Sequence, residues 1–384
     1  MRVREIVFKD FRCFRGERRI SFVDPTTDTV RPVTVLAGSN GSGKTTVLDS
    51  IEALLAFFLD PHSPRDLVYE TQWSGSIGLV VEFSPDDLPP SDRPGDVFDG
   101  RKPEVVTIFA GRKDLALDYE QSRAVGSLVR EEASGGNWIA TQNESSLAQA
   151  LRRAVSREHR KEAAVGGGLL YFPHDRRLAV TRGGSVEPPP EQWEWLFRFS
   201  PSDKWQGSLE QMWVWQNYLD LEEDLQERQN LVPFIESVET ILGQDRRITI
   251  SKGRVRVPVG WGQEGERPQV RLDQLPSGEQ QVLLLFGELA RRRRRGAVIM
   301  IDEIENSLHP TLQRLVMWNL HRIAREWDAQ VIVATHSLEV INTVRGGAFI
   351  NLDYPVPDAY VHGCPNPHPD LSDLVEAILQ DARA

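Results

Sequence analysis

The sequence is poor in cysteine: Cys13 and Cys364 are the only two among 384 residues. That excludes a disulfide framework as the basis of the fold and points to a reducing compartment. No stretch reaches the roughly 18 apolar residues that a membrane-spanning helix requires, so no membrane is expected as a partner. The opening "MRVREIVFKDFRCF" carries a charge every few residues and lacks the apolar core of a secretory leader. The cytoplasm is therefore the expected location. A sustained apolar heptad is missing too, and with it the long coiled coil that such a pattern encodes. There is no internal repeat. There is no excess of positive charge either, because 45 Lys and Arg stand against 56 Asp and Glu, a formal net charge of -11. Composition thus gives nucleic-acid binding no support, although it leaves room for a local basic patch.

What is present alternates strongly. The length suits one large domain, or a core with a substantial insert. Residues 3–8 and 18–23 read as strands around a turn at Gly16, and "VTVLA" (33–37) reads as a buried strand. Val47, Leu48, Ile51, Leu54 and Leu55 then recur at helical spacing after Lys44. Residues 76–85 and 104–111 read as strands flanking a Pro/Asp/Gly-rich segment, 84–103, expected as loop or disorder. Residues 145–164 read as helix, and 166–180 holds a short buried strand stopped by Pro173. Residues 191–242 read as a helical lobe rich in tryptophan (Trp193, Trp195, Trp205, Trp213 and Trp215). A hairpin at "RRITI" and "RVRVPV" follows, then helix 278–292, strand "AVIMID", a helix after Pro310, strand "QVIVATH" and a short helix. Such alternation predicts an α/β fold with a mostly parallel sheet covered by helices.

Between the buried strand and the first helix stands "GSNGSGKT", Gly38, Ser39, Asn40, Gly41, Ser42, Gly43, Lys44 and Thr45, followed by Thr46. It matches the phosphate-loop pattern in full and has the strand before and helix after that give the pattern meaning. Glycines let successive N–H groups point at phosphate oxygens, and the helix N-terminus adds partial positive charge. Lys44 is placed to reach the β and γ phosphates of ATP, and the Thr45 hydroxyl to occupy a Mg²⁺ position. A glycine-rich turn matching by chance is the alternative, which the flanks weigh against. The strand "AVIMID" ends in Asp302, a second candidate for holding Mg²⁺, and Glu303 is the candidate to orient or deprotonate the attacking water. A solvated helix start is the bland reading of that acid pair.

Further on, "LPSGEQQVLLL" (275–285) precedes the acid-ended strand, and "VIVATHS" (331–337) sets His336 just past a buried strand. This order resembles the ATP-binding-cassette (ABC) ATPase heads of the SMC/RecF/overcoming-lysogenization-defect (OLD) group, over residues 1–55 and 268–345. The opening strands are similar as well. The resemblance implies an ATPase head with an N-terminal antiparallel β region and an inserted helical lobe. It further implies two heads enclosing two ATP molecules, with Ser277, Gly278 and Glu279 facing the partner's nucleotide and His336 touching the γ-phosphate and attacking water. "ENSLHP" (305–310) would cross the interface. Pro276 stands where the group's usual serine is, leaving Ser277 to supply any hydroxyl. The group's glutamine is not evident: Gln72 lies before a strand, and His174, Asp175 or Arg176 occupies the position entering the lobe, with His174 read as structural.

The expected organisation is residues 1–180 as the first part of the head, 181–245 as the lobe, and 246–384 as the second part. No transporter half or coiled-coil arm accompanies it, and no nuclease domain is expected after His336, where Asp353, Asp358, Asp370, Asp373 and Glu376 read as scattered. The expectation is a dimerising ATPase switch, higher assemblies left open, that acts with a separate effector protein in DNA maintenance or antiphage defence. Double-stranded DNA is a candidate partner. A nucleotide-gated structural subunit with little turnover, acting on proteins, is the alternative. The five arginines 291–295 read as a solvated helix end, with a phosphate-backbone patch including Arg314 and Arg322 as the competing reading. The tryptophans read as core or interface, not a base-stacking platform.

Overall fold

The computed structural model describes residues 1–60, 65–71, 75–93, 103–112, 124–130, 138–141, 146–159, 165–178, 181, 183–190, 194–223, 228–243, 246–260, 267–344 and 348–353. Gln72, Trp193, Cys364 and the acids beyond Asp353 lie outside them, as do residues 94–102 of the Pro/Asp/Gly-rich segment. Its described beginning is ordered, with short 3₁₀ turns at Pro85–Asp87 and Pro90–Asp92.

In chain order the strands are β1 (Arg2–Lys9), β2 (Glu17–Ser21), β3 (Val23–Asp24), β4 (Thr29–Val30), β5 (Val33–Ala37), β6 (Ser76–Phe83), β7 (Glu104–Arg112), β8 (Ala124–Arg130) and β9 (Trp138–Thr141). They continue with β10 (Leu169–Phe172), β11 (Leu196–Arg198), β12 (Thr249–Ser251), β13 (Arg254–Pro258), β14 (Gln269–Val270), β15 (Val298–Ile301), β16 (Gln330–Thr335) and β17 (Phe349–Asn351). The helices are α1 (Lys44–Leu59), α2 (Asp66–Glu70), α3 (Ser146–His159), α4 (Leu209–Glu222), α5 (Val232–Leu242), α6 (Ser277–Arg291), α7 (Pro310–Glu326) and α8 (Leu338–Ile341). Among the described residues no helix is long and apolar enough to cross a membrane.

Six strands in the order β11-β10-β15-β16-β5-β17, all parallel, form the central sheet. Every residue of β5, β10, β15 and β16 is buried, which is why these strands read as unbroken apolar runs without alternation. Their side chains still divide by the period of two. Leu36, Leu169, Tyr171, Val298, Met300, Ile332 and Ala334 join a core with α1, α3 and the N-terminal strands. Val35, Leu170, Phe172, Ile299, Ile301, Val331 and Val333 join a second core with α4, α5, α6 and α7. At about 1.5–3 kcal/mol for each large apolar side chain fully buried, these two layers supply the main stabilisation of the head.

A second six-stranded sheet, β2-β1-β6-β7-β8-β9, covers α1; it is antiparallel except where β7 and β8 pair in parallel. The hairpin of β12 and β13 forms, and β14 extends it to three strands. The stretch 191–242 supplies α4 and α5 but also β11, which adds to the edge of the parallel sheet beside β10. Within it Trp195 and Trp213 are buried core residues.

Candidate functional site

The strands β5, β15 and β16 end together at Ala37, Ile301 and Thr335, and the candidate residues follow those ends directly. After β5 the chain curls and enters α1 at Lys44. Gly43 stands before that helix with φ 101° and offers no side-chain cap, so the first N–H groups of α1 stay open toward the loop. Any side chain at 43 is excluded twice over: by the left-handed φ, and because a Cβ would meet Phe14 Cζ at 2.5 Å and Cys13 Sγ at 2.7 Å.

Lys44 is buried, and its ammonium donates to the carbonyls of Gly38 at 2.8 Å and Ser39 at 2.9 Å. Burial lowers its proton affinity, against the pull of Asp353, Asp302, Glu305 and Glu303. His336 Nδ1 lies 3.4 Å from the same ammonium. Thr45 Oγ1 donates to Asp302 Oδ2 at 2.8 Å, joining the start of α1 to the end of β15. Asn40, Gly41, Gly43, Lys44, Thr45 and Thr46 line a cavity of about 230 Å³ together with Glu303, His336, Arg12 and Cys13. Lys44, Thr45, Asp302, Glu303 and His336 are thus brought to one place.

Asp302 is fully buried, and its Oδ1 has no hydrogen-bond partner. Desolvation raises the proton affinity of this carboxyl, with the Thr45 bond opposing. An unpartnered carboxylate oxygen next to a hydroxyl is a set of hard oxygen donors that fits a divalent cation such as Mg²⁺. Glu303 adopts φ 46°, a left-handed turn that redirects the chain after the strand. Arg176 supports that turn from below. It is buried and donates to the carbonyls of Asp302 at 2.5 Å, Glu303 at 2.9 Å and Pro173 at 3.1 Å. Its proton affinity is pushed down to about 10 by burial, so it stays charged at neutral pH.

Of the trio entering the lobe, then, Arg176 is the one that turns inward. His174, read as structural, is more than half exposed, with Nδ1 3.6 Å from Asp302 Oδ2, and does not line the cavity. Ser277, Gly278 and Glu279 do not line the cavity. Ser277 is exposed at the start of α6, Glu279 pairs with Arg246 at 2.9 Å, and a Cβ on Gly278 would meet the Ser307 carbonyl at 2.7 Å.

Four residues escape the motif reading. Glu305 accepts from Thr335 Oγ1 at 2.7 Å and from the His336 N–H, fixing the turn that carries the histidine. Arg12 and Cys13 come from the loop after β1 and line the cavity. Asp353, read as one of several scattered acids, instead accepts from the Ser39 N–H at 2.7 Å and from its hydroxyl at 2.8 Å. A signal for it exists: "AFINLD" (348–353) repeats the apolar-run-then-acid pattern of "AVIMID" (297–302).

The arginine block is a solvated helix end only in part, for Arg293 and Arg295 are exposed while Arg291 and Arg292 turn inward. Arg291 and Arg292 are largely buried, the first donating to the Gly207 carbonyl at 2.7 Å and the second lying 3.6 Å over the Phe197 ring beside Glu288. Burial pushes the Arg292 guanidinium down to about 10. Arg293 lies over Trp327 at 5.9 Å. The stems of Arg291 and Arg292 fill the seam where α6 ends against β11, which a count of charges cannot reveal. Arg314 and Arg322 are engaged with Glu339 and with Ser237 and Asn319.

Residues 184–342 match the family model described as "AAA domain, putative AbiEii toxin, Type IV TA system", and residues 5–79 match a second described as "AAA domain". This is a P-loop, AAA-like α/β fold. In P-loop folds the crevice beyond the carboxyl ends of parallel strands is where ligands bind, and the cavity described above lies there. Solved structures similar to the chain include an SMC head bound to the C-terminal winged-helix domain of ScpA (12% identity, 90% of this chain, 92% of that one, TM-score 0.45). Another is the SMC head domain from Thermotoga maritima (14%, 90%, 92%, TM-score 0.37). A third is the Pyrococcus furiosus Smc head with an extended coiled coil bound to the C-terminal domain of ScpA (11%, 89%, 92%, TM-score 0.41).

Proposed function

We propose that this protein binds ATP, hydrolyses it to ADP and phosphate, and uses the nucleotide to switch the association of two heads. The observation that carries the reading is the Thr45–Asp302 bond beside an unpartnered Asp302 oxygen, at the mouth of a loop whose lysine bonds the carbonyls of Gly38 and Ser39 and lies 3.4 Å from His336 Nδ1.

In this reading the N–H groups at the start of α1 and the Lys44 ammonium hold the β and γ phosphates. Thr45 and Asp302 would hold Mg²⁺, which when bound neutralises phosphate charge and aligns the transferring group. Glu303 takes the proton of the attacking water, its place fixed by the turn that Arg176 supports. His336, steadied by Glu305, contacts the γ-phosphate. Ser277 and Gly278 serve the nucleotide of a second head, a role supported for Ser277 by its exposed place outside this chain's own cavity, with Gly278 buried beside it. Loss of the γ-phosphate removes the contacts that bridge the heads and lets them part.

Residues 1–180 and 246–384 would act as the two parts of the head, and 181–245 as the lobe that passes the change to a separate effector or to double-stranded DNA, in DNA maintenance or antiphage defence. A cytoplasmic location accords with the cysteine usage. A nucleotide-gated subunit with little turnover is the second reading. It is favoured by Pro276, which begins α6 without a side-chain cap and leaves Ser277 the one hydroxyl there.

The test is mass and turnover of wild type and Glu303→Gln, with and without Mg-ATP and then with double-stranded DNA. The ATPase reading expects Glu303→Gln to cut turnover by about a hundredfold or more and to accumulate a nucleotide-dependent dimer. Turnover that is already slow and unchanged in the variant selects the regulatory reading. A mass indifferent to ATP removes the homodimer, and turnover raised by a co-purifying protein but not by DNA selects a protein target.

A further inference from the structure

We propose that Asp353 is a positioning residue for the phosphate loop, a latch that ties Ser39 to the edge strand β17. This rests on the reading of the loop as a nucleotide cradle and adds a residue from outside every motif that suggested it.

The register of the sheet puts it there. In the parallel pair, Ile350 lies opposite Leu36 and Asn351 opposite Ala37, and the Leu352 N–H donates to the Ala37 carbonyl at 2.8 Å. Two residues further along both chains, 353 faces 39. There the carboxylate takes up both donors that Ser39 offers: Oδ2 accepts the N–H at 2.7 Å, while Oδ1 accepts that N–H at 3.0 Å and the hydroxyl at 2.8 Å. Asp353 is itself held, its N–H donating to Asn351 Oδ1 at 3.0 Å.

The fit around the loop mouth is close. A Cβ on Gly38 would meet Ser42 Oγ at 2.5 Å, Ser42 Cβ at 2.9 Å and Asp353 Oδ1 at 3.2 Å. The loop entrance is therefore pinned between Ser42 on one side and Asp353 on the other. The carbonyls that receive Lys44 are those of Gly38 and Ser39, the two residues pinned. Moving Ser39 moves the lysine's acceptors, so the latch acts on the cradle through Ser39 without touching the nucleotide. Because β17, among the described residues, is an edge strand paired with β5 alone, the geometry of the cradle depends on that edge being docked.

Asp353→Ala and Asp353→Asn separate holding from charge. The asparagine keeps an acceptor for the Ser39 N–H and loses the negative charge; the alanine loses both. The measurements are the Mg-ATP dissociation constant and amide hydrogen exchange of the peptide spanning residues 38–43, the latter without nucleotide. Asp353→Ala is expected to weaken Mg-ATP binding about tenfold and to speed exchange in that peptide, with Asp353→Asn within about threefold of wild type in both. Wild-type affinity and exchange in Asp353→Ala would overturn the latch, as would Asp353→Asn behaving like the alanine or binding ATP well above wild type. If Asp353→Ala does not fold, Asp353→Asn and Ser39→Ala carry the test: the first should stay near wild type, and the second, which loses only the hydroxyl bond, should show a partial increase in exchange. Failure of the underlying reading looks different: wild type does not bind Mg-ATP or Lys44→Ala binds it equally, while the exchange result still reports on the latch.

Discussion

Thr45 Oγ1 and Asp302 Oδ2 meet at 2.8 Å across 257 positions of sequence, so the loop that begins one half of the head and the strand that begins the site in the other are joined by a single hydrogen bond. The neighbouring Asp302 Oδ1 is buried with no hydrogen-bond partner. Thr45→Ala and Asp302→Asn should each cancel the gain in ATP affinity that Mg²⁺ brings, a loss of about tenfold to a hundredfold, while affinity without the metal changes little. Titrations with and without Mg²⁺ measure this directly, and an undiminished metal effect in both variants would assign the cation elsewhere.

Arg176 should matter to stability as well as to turnover. Its guanidinium is buried and serves three main-chain carbonyls, and its own carbonyl accepts from Gln281 Nε2 at 3.0 Å, which links α6 to the acidic turn. Arg176→Ala takes the guanidinium from all three carbonyls, although Glu303 keeps the Asn306 N–H and Pro173 keeps the N–H of residue 176, and should cost about 2–4 kcal/mol of unfolding free energy by denaturant titration. Arg176→Lys should recover only part, because an ammonium lacks the planar fork. A loss under about 1 kcal/mol would mean that water replaces the guanidinium readily.

Cys13 provides a reporter that needs no turnover. The thiol is exposed and lines the cavity beside Gly43. Mg-ATP at ten times its dissociation constant should slow alkylation of Cys13 about tenfold, read by peptide mass so that Cys364 is counted separately. Equal labelling with and without nucleotide would place ATP away from this cavity.

His321 on α7 should make the fold sensitive to mild acid. Its Nε2 is buried without a partner, and burial holds its proton affinity below the ordinary value of 6.5. The unfolded chain therefore takes up this proton at a higher pH than the folded chain. The stabilising contribution is complete above the ordinary histidine value and is lost as pH falls through the depressed one. Melting temperature followed from about pH 8 to about pH 5 should drop more steeply for wild type than for His321→Leu, and parallel curves would count against this origin.

The centre of the fold and of the site could be read from the residues because their signals are local. Strand, glycine loop and helix are contiguous around Gly38–Thr45, and a wholly buried parallel strand must be an unbroken apolar run, as "AVIMID" and "QVIVATH" are. The residues that escaped depend on partners distant in sequence. Leu196–Arg198 is a strand only because β10 offers it an edge, and three residues are too few to show a period. Asp353 gains its place from the register of β17 against β5. Arg291 and Arg292 read as surface because charge suggests solvent, whereas Phe197 and Glu288 accommodate them inside.

The strand order has a consequence for synthesis. β5 carries the phosphate loop near the beginning of the chain, yet its only sheet neighbours are β16 and β17, which leave the ribosome near the end of the described sequence. Until then both edges of β5 are unpaired, and the nascent chain exposes an apolar strand of the kind that attracts chaperones or aggregates. An elongation pause or premature stop between residues 55 and 330 would release a chain that has every residue of the loop and nothing to shape it.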